Sequence, residues 1–200
     1  MRRTINDLIA HIRALEDELE TELIARRREL GVRWEEGRAV FGREMTARHH
    51  KLKMSVGRFL AKAGLLEILT APFIYAVAIP VALLDLTASL FQTICFRVYG
   101  LRQVKRREYL VFDRHRLPYL NVLQKINCLY CSYANGVLAY VHEIASRTEQ
   151  YWCPIKHAER VKGTHLRYAK FLDYGDTQNY PQTLEQQRAR LKADAEEAQG

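Results

Sequence analysis

Residues 65–96 read LLEILTAPFIYAVAIPVALLDLTASLFQTICF, 32 positions that carry only two charges, Glu67 and Asp85. Basic residues press against both ends. Arg48, Lys51, Lys53, Arg58 and Lys62 stand upstream with no acid between Met45 and Ala63, and Arg97, Arg102, Lys105, Arg106 and Arg107 precede the next acid, Glu108. Clusters of Lys and Arg mark the cytoplasmic side of a membrane segment, so this pattern predicts a re-entrant hairpin with both flanks inside. Two full crossings need about 40 apolar residues and one needs about 20. Broken at Pro80, the arms Leu65 to Ile79 and Val81 to Phe96 would each measure roughly 22 to 24 Å as helices, enough to enter and return. A single span from Ile68 to Leu84 followed by a short amphipathic stretch is the alternative, and a buried helical hairpin of a soluble protein is the third reading.

Asp85 bears on all three. A lone acid at the bilayer centre costs about 2.5–3.5 kcal/mol on insertion scales, so it must face protein, water or headgroups. With Thr87, Ser89, Gln92 and Thr93 it forms a polar stripe, which reads as a hydrogen-bonded contact between helices or subunits ahead of a proton or ligand site.

Composition narrows the class. The chain has 200 residues, a net charge of +8 and 27% charged residues, room for one modest domain plus a membrane element. Because the basic clusters abut the apolar segment, the expected partners are the lipid bilayer and its anionic headgroups, with no nucleic acid. No signal peptide is read at the polar N-terminus, so the apolar segment does the targeting. The four cysteines, Cys95, Cys128, Cys131 and Cys153, are not spaced as a secreted disulfide framework, and the charge pattern argues for reduced thiols.

Elsewhere the periodicity is helical. Thr4 and Asp7 have capping-box spacing, and Ile5, Leu8, Ile12, Leu15 and Leu19 follow at steps of three and four, predicting a helix over about 5–30. The run from Trp34 to Ala63 reads as helix, with Leu52, Val56, Phe59, Leu60 and Ala63 on one face and Lys51, Arg58 and Lys62 beside it, as for a helix lying in a membrane interface. Tyr109 to Phe112 reads as an extended connector. From Leu120 to Tyr151 the apolar series Leu123, Ile126, Tyr130, Tyr133, Val137, Tyr140, Val141, Ile144 and Tyr151 keeps phase through Asn135-Gly136, predicting one long helix whose tyrosine-rich face packs on protein. The helix over 5–19, or a second copy of the chain, is the expected cover. A charged helix, Leu184 to Glu197, ends the chain. The expected fold is all-α: long amphipathic helices with a re-entrant hairpin or a single transmembrane helix, divided at 1–63, 64–97, 98–117, 118–157 and 158–200.

The face opposite the tyrosines carries Asn121, Gln124, Cys128, Cys131, Asn135, His142, Ser146 and Glu149, and thiols are off-pattern on a polar face. Trp152-Cys153-Pro154-Ile155-Lys156-His157 follows. Cys-x2-Cys, 21 intervening residues and Cys-x3-His suit a tetrahedral zinc site with Cys128, Cys131, Cys153 and His157 as ligands, provided the chain folds back. An iron-sulfur cluster with Cys95 as a further thiolate and a redox dithiol at Cys128 and Cys131 are alternatives. Catalytic signals are weaker. Cys153 with His157 has the residue types of a nucleophile and its base. Glu143 and Arg147 read as ordinary surface helix support, and His49-His50 diverge on a helix. No phosphate-binding loop, dinucleotide fingerprint, nucleophile elbow or zincin motif is present.

Asn127 to Gly136 (NCLYCSYANG), Glu143 to Ala158 (EIASRTEQYWCPIKHA) and Arg167 to Asp176 (RYAKFLDYGD) resemble motifs of a group of uncharacterised proteobacterial inner-membrane proteins. The resemblance, over roughly Leu65 to Tyr180, implies an inner-membrane location and no particular activity or metal. The residues and the resemblance together lead to a membrane-anchored scaffold or accessory protein on the cytoplasmic face, as a homo-oligomer or a subunit of a membrane complex, with a structural zinc site. The alternative is a membrane-associated thiol or metal redox enzyme acting on a lipid or quinone.

Overall fold

A computed structural model of the chain describes residues 4–35 and 38–197, with Arg38 described in its backbone alone. Helix accounts for 69% of it and strand for 5%, so the all-α class holds. The helices are α1 (Ile5–Glu29), α2 (Arg43–Lys51), α3 (Val56–Lys62), α4 (Leu65–Ala76), α5 (Ala78–Phe91), α6 (Arg97–Tyr99), α7 (Val122–Trp152) and α8 (Tyr180–Glu196), with a π-helical turn over Gln92–Phe96 between α5 and α6. The chain divides into two compact units, one of residues 1–72 and 112–132, the other of residues 73–111 and 133–200.

In the first unit α1 begins with the expected capping box. The Asp7 amide donates to Thr4 Oγ1 at 3.2 Å and the Thr4 amide to Asp7 Oδ2 at 2.9 Å, which satisfies two of the donors that a helix start leaves open. The apolar stripe of α1 stays largely uncovered, with Leu15 at 51% and Leu19 at 60% exposure and Ile9 its one buried residue. The run from Trp34 departs from the helical expectation. Strands β1 (Val32–Glu35) and β2 (Arg38–Phe41) pair antiparallel, with Val32 opposite Phe41 and Trp34 opposite Ala39. The Val, Trp and Phe of this stretch are good strand formers, and pairing overrides the weak helical pattern. Residues 36 and 37, part of that expected helix, lie outside the described residues. The expected interfacial helix is also divided: Ser55 accepts from the Arg58 amide at 3.4 Å and starts α3 afresh. Asn121 and Gln124 open α7 with reciprocal bonds of 2.9 and 3.0 Å.

The second unit is built on the face of α5 that carries Val81, Asp85, Ala88 and Gln92, continued by Phe96 of the π-helical turn; all five are buried. These steps of four and three place one side of the helix against protein. Val81, Ala88 and Phe96 join Leu101, Val104, Leu110, Val137, Tyr140, Ile144 and Leu191 in one core. The cover over the tyrosine face of α7 is thus supplied by α5, the connector 101–110 and α8. On the outward side of α5, Leu83, Leu86 and Leu90 remain 60%, 67% and 58% exposed.

Pro80 does not reverse the chain. It sits in the first turn of α5, where a missing N–H costs nothing, and the preceding Val77 is itself helical at φ −62°, ψ −21°. The Val77 carbonyl accepts from the Val81 amide at 3.2 Å. Helix therefore continues to Tyr99 and stops at Gly100, whose φ of 70° is left-handed. There the Leu101 amide donates to the Phe96 carbonyl at 2.8 Å and the Gly100 amide to the Arg97 carbonyl at 3.4 Å, a Schellman motif sealed by the apolar pair Phe96 and Leu101.

Gly136 explains why the Asn-Gly pair leaves α7 unbroken. A methyl at its Cα would lie 2.8 Å from the Tyr109 carbonyl oxygen and 3.2 Å from Leu110 Cα, so the glycine admits a crossing backbone without ending the helix. Ala has about 1 kcal/mol better helix propensity than Gly, yet overpacking typically costs about 1–3 kcal/mol. Gly136→Ala is expected to lower the denaturation midpoint of the protein in detergent; a raised midpoint would show that the connector yields freely.

Candidate functional site

Inside the second unit the polar stripe of α5 meets its partners. Arg106 grips Asp85 with both arms of its guanidinium, Nε to Oδ1 at 3.0 Å and Nη2 to Oδ2 at 2.6 Å, and the Tyr133 hydroxyl donates to Oδ2 at 3.0 Å. Asp85 is 11% exposed at its side chain, whereas Arg106 is 47% exposed. A two-armed Arg–carboxylate contact fixes geometry as well as charge. One turn on, Gln92 acts as a clip. Its Oε1 accepts from the Val104 amide at 2.9 Å, and its Nε2 donates to the Val104 carbonyl at 3.3 Å and to the Tyr140 hydroxyl. Ser89 shares a 3.2 Å bond with that same hydroxyl. The stripe thus binds the connector and α7 to the helix, as expected of an intramolecular hydrogen-bonded contact.

A second cluster lies further along α7. Arg167 donates to both Glu143 oxygens at 2.8 Å, Arg147 Nε donates to Oε1 at 2.8 Å, and Arg147 Nη1 reaches the Arg102 carbonyl at 2.7 Å. Glu143 and Arg147 are 17% and 18% exposed at their side chains, so the pair taken from spacing as surface support is a buried contact joined by a distant arginine. Burial pushes the Glu143 carboxyl up, but hydrogen bonds from Arg167 and Arg147 outweigh it and hold the group below its ordinary value. Ser146 is 1% exposed and accepts from Arg167 at 3.0 Å.

The thiols are distributed. Cys128 and Cys131 lie one turn apart on α7, the former half-buried and the latter exposed. Cys153 is exposed just beyond Trp152, and the segment after it is pinned by bonds of 2.8 Å from the Leu172 amide to the Pro154 carbonyl and from the Lys156 amide to the Leu172 carbonyl. The shared site requires the chain to fold back before Cys153, whereas α7 stays helical through Trp152; at 1.5 Å per residue about 33 Å of rise separates Cys131 from Cys153. Among the described residues no group of three or more His, Cys, Asp or Glu side chains is placed to hold a metal ion. His157 is exposed, its ring stacked on Tyr168 with centroids 6.2 Å apart. His165, passed over in the sequence, is engaged at both ring nitrogens: Nε2 lies 2.9 Å from Glu149 and Nδ1 accepts from the Tyr168 amide at 3.1 Å.

At the far end of the apolar helix an aromatic group gathers. Tyr99 stacks on Tyr151 at 4.9 Å and meets the edge of Trp152 at 5.5 Å, while Arg188 lies over the Tyr151 ring at 4.8 Å. Tyr, Trp and Arg at the close of an apolar helix are the residue types found at a membrane–water interface. Compared with known proteins, the chain matches no family model, no curated protein and no solved structure.

Two outcomes follow from the charged clusters. Arg106→Gln leaves the Asp85 carboxylate buried without its cation and is expected to cost about 2–3 kcal/mol, whereas Asp85→Asn frees Arg106 to water at about 1 kcal/mol. Chemical denaturation in detergent measures both, and an Asn variant as unstable as the Gln variant contradicts the assignment. For Glu143 the folded pKa is depressed, so its stabilisation is present in full above the unfolded value of about 4.3 and is lost as pH falls toward the folded one. The stability gap between the native protein and Glu143→Gln is therefore expected to narrow below about pH 4.3; a constant gap would count against it.

Proposed function

We propose that the chain is a membrane-anchored scaffold or accessory protein of a bacterial inner membrane. The observation that carries this is the helix Leu65–Tyr99, 35 residues with a mean hydropathy of 1.9 in its most apolar window and only 17% of that window buried. A core helix of this composition in a soluble protein would be mostly covered, because large exposed apolar patches are costly in water.

Thirty-five residues amount to about 52 Å of helical rise. Hydrocarbon alone is about 30 Å thick and the full bilayer with headgroups about 40–45 Å, so a moderately tilted span sets both ends among headgroups. Each basic cluster then meets the anionic surface of its own leaflet. The helical conformation at Val77 and Pro80 favours this span over the re-entrant hairpin. Pro72 within α4 is tolerable in such a helix. Asp85 is neutralised by Arg106 and hydrogen-bonded by Tyr133 before it meets lipid.

A scaffold role fits the chemistry that remains. The buried polar groups described above are spent on holding elements together, and the exposed stripe of α1 is free of any such internal duty. The zinc expectation at Cys128, Cys131, Cys153 and His157 is not carried into this proposal, since α7 remains helical between the two pairs. The protein is expected to stay with membranes through high-salt and alkaline carbonate washes, because salt screens the basic clusters and leaves the apolar helix embedded. Release by either wash overturns the anchor. Reporter fusions at residues 1 and 200 are expected on opposite sides of the membrane; same-side placement restores the re-entrant hairpin.

A further inference from the structure

We propose that the cleft at the C-terminal end of the apolar helix binds the phosphate of an anionic lipid headgroup. The cleft has a volume of about 840 Å³, and Arg97, Arg102, Lys105 and Lys192 line it together with a single carboxylate, Glu196. All four cationic side chains belong to exposed residues, so their charge is available to a ligand. Lys105 has one distant counterion, Glu108 at 3.9 Å.

Local structure explains how the cations converge. The left-handed turn at Gly100 swings the chain out of the helix, so that Arg97 before it and Arg102 and Lys105 after it share one concavity. Arg147, donating to the Arg102 carbonyl at 2.7 Å, fixes the backbone on the far side of the turn. Lys192 comes from α8, its Cε lying 4.0 Å from the position a Gly100 Cβ would take. The Schellman bonds at the same turn satisfy the helix-end carbonyls that would otherwise repel an anion.

The rest of the cleft is apolar. Phe96 and Leu101 form its inner wall, and Val98, 77% exposed, points the adjoining surface outward. Cations around a phosphate-sized opening, beside a helix face clad in Ile94 and Val98, match an amphiphile with a charged head and an acyl chain. A free phosphate shares the head chemistry and lacks the chain. Tyr99, stacked with Tyr151 beside Trp152, marks this level of the helix as interfacial. The proposal rests on the membrane-anchor reading and adds the lipid class and its residues.

The test is calorimetric titration of the full-length protein in detergent with short-chain phosphatidylglycerol, short-chain phosphatidylcholine and inorganic phosphate. Phosphatidylglycerol is expected to bind, with phosphatidylcholine and phosphate at least tenfold weaker. One basic residue at an anionic surface is worth about fivefold in affinity, so Lys105→Gln with Lys192→Gln should weaken phosphatidylglycerol about 25-fold. Lys162→Gln, outside the cleft, should leave it unchanged. Equal affinity for the two lipids, undiminished binding by the double variant, or phosphate binding as tightly as phosphatidylglycerol each overturns the proposal, the last by assigning the cleft to a free anion. The washes separate the two failures: a protein retained by carbonate-washed membranes but indifferent to lipid charge loses the cleft and keeps the anchor.

Discussion

A carboxylate in a helix otherwise fit for hydrocarbon must be answered by a cation, and that requirement organises the second unit. Asp85 is the group; Arg106 is the answer, 21 residues later in the chain. To deliver it, the connector after Gly100 doubles back along α5, and Gln92 grips the backbone of Val104 on the way. The doubling back carries Leu101, Val104 and Leu110 into the core and brings Tyr109 across α7 at the one residue, Gly136, with no side chain to obstruct it. Buried ion pairs seldom add much net stability over an apolar replacement. Here the pair contributes specificity of path, since no other acid lies on the buried face of α5.

Elements with long, regular periodicity were legible from residues alone. The capping box at Thr4, the extent of α1 and the unbroken α7 follow from local chemistry, which the rest of the molecule does not override. The hairpin at Val32 to Phe41 was not legible as such, because its stability comes from cross-strand pairing and its strands are four residues each. Glu143 was misread for a similar reason. Spacing exposes its link to Arg147 and conceals Arg167, a partner 24 positions away that turns a surface pair into a buried cluster. Gly136 carried a signal after all, as a glycine in the middle of a strong helical pattern.

The metal expectation marks where spacing misleads most. Two Cys-containing pairs invite closure into one tetrahedron, and the arithmetic depends on what lies between. A loop brings such pairs together; a helix holds them apart, and the 21 residues between Cys131 and Cys153 are helical. The same apolar series that made α7 easy to foresee, from Leu123 to Tyr151, is the feature that argues against a return of the chain within it.

The π-helical turn at Gln92–Phe96 deserves a final thought in terms of reading frame. Such a turn holds one residue more than the α-helical turn it replaces, and it lets Phe96 come back under Gln92 on the buried face. Everything after it, from Arg97 through the Gly100 turn, inherits that angular setting. Loss of one residue here would leave a regular helix while rotating the basic end by about 100° against the core. The heading of the charged terminus is thus adjustable by one codon, independently of the length or greasiness of the segment that precedes it.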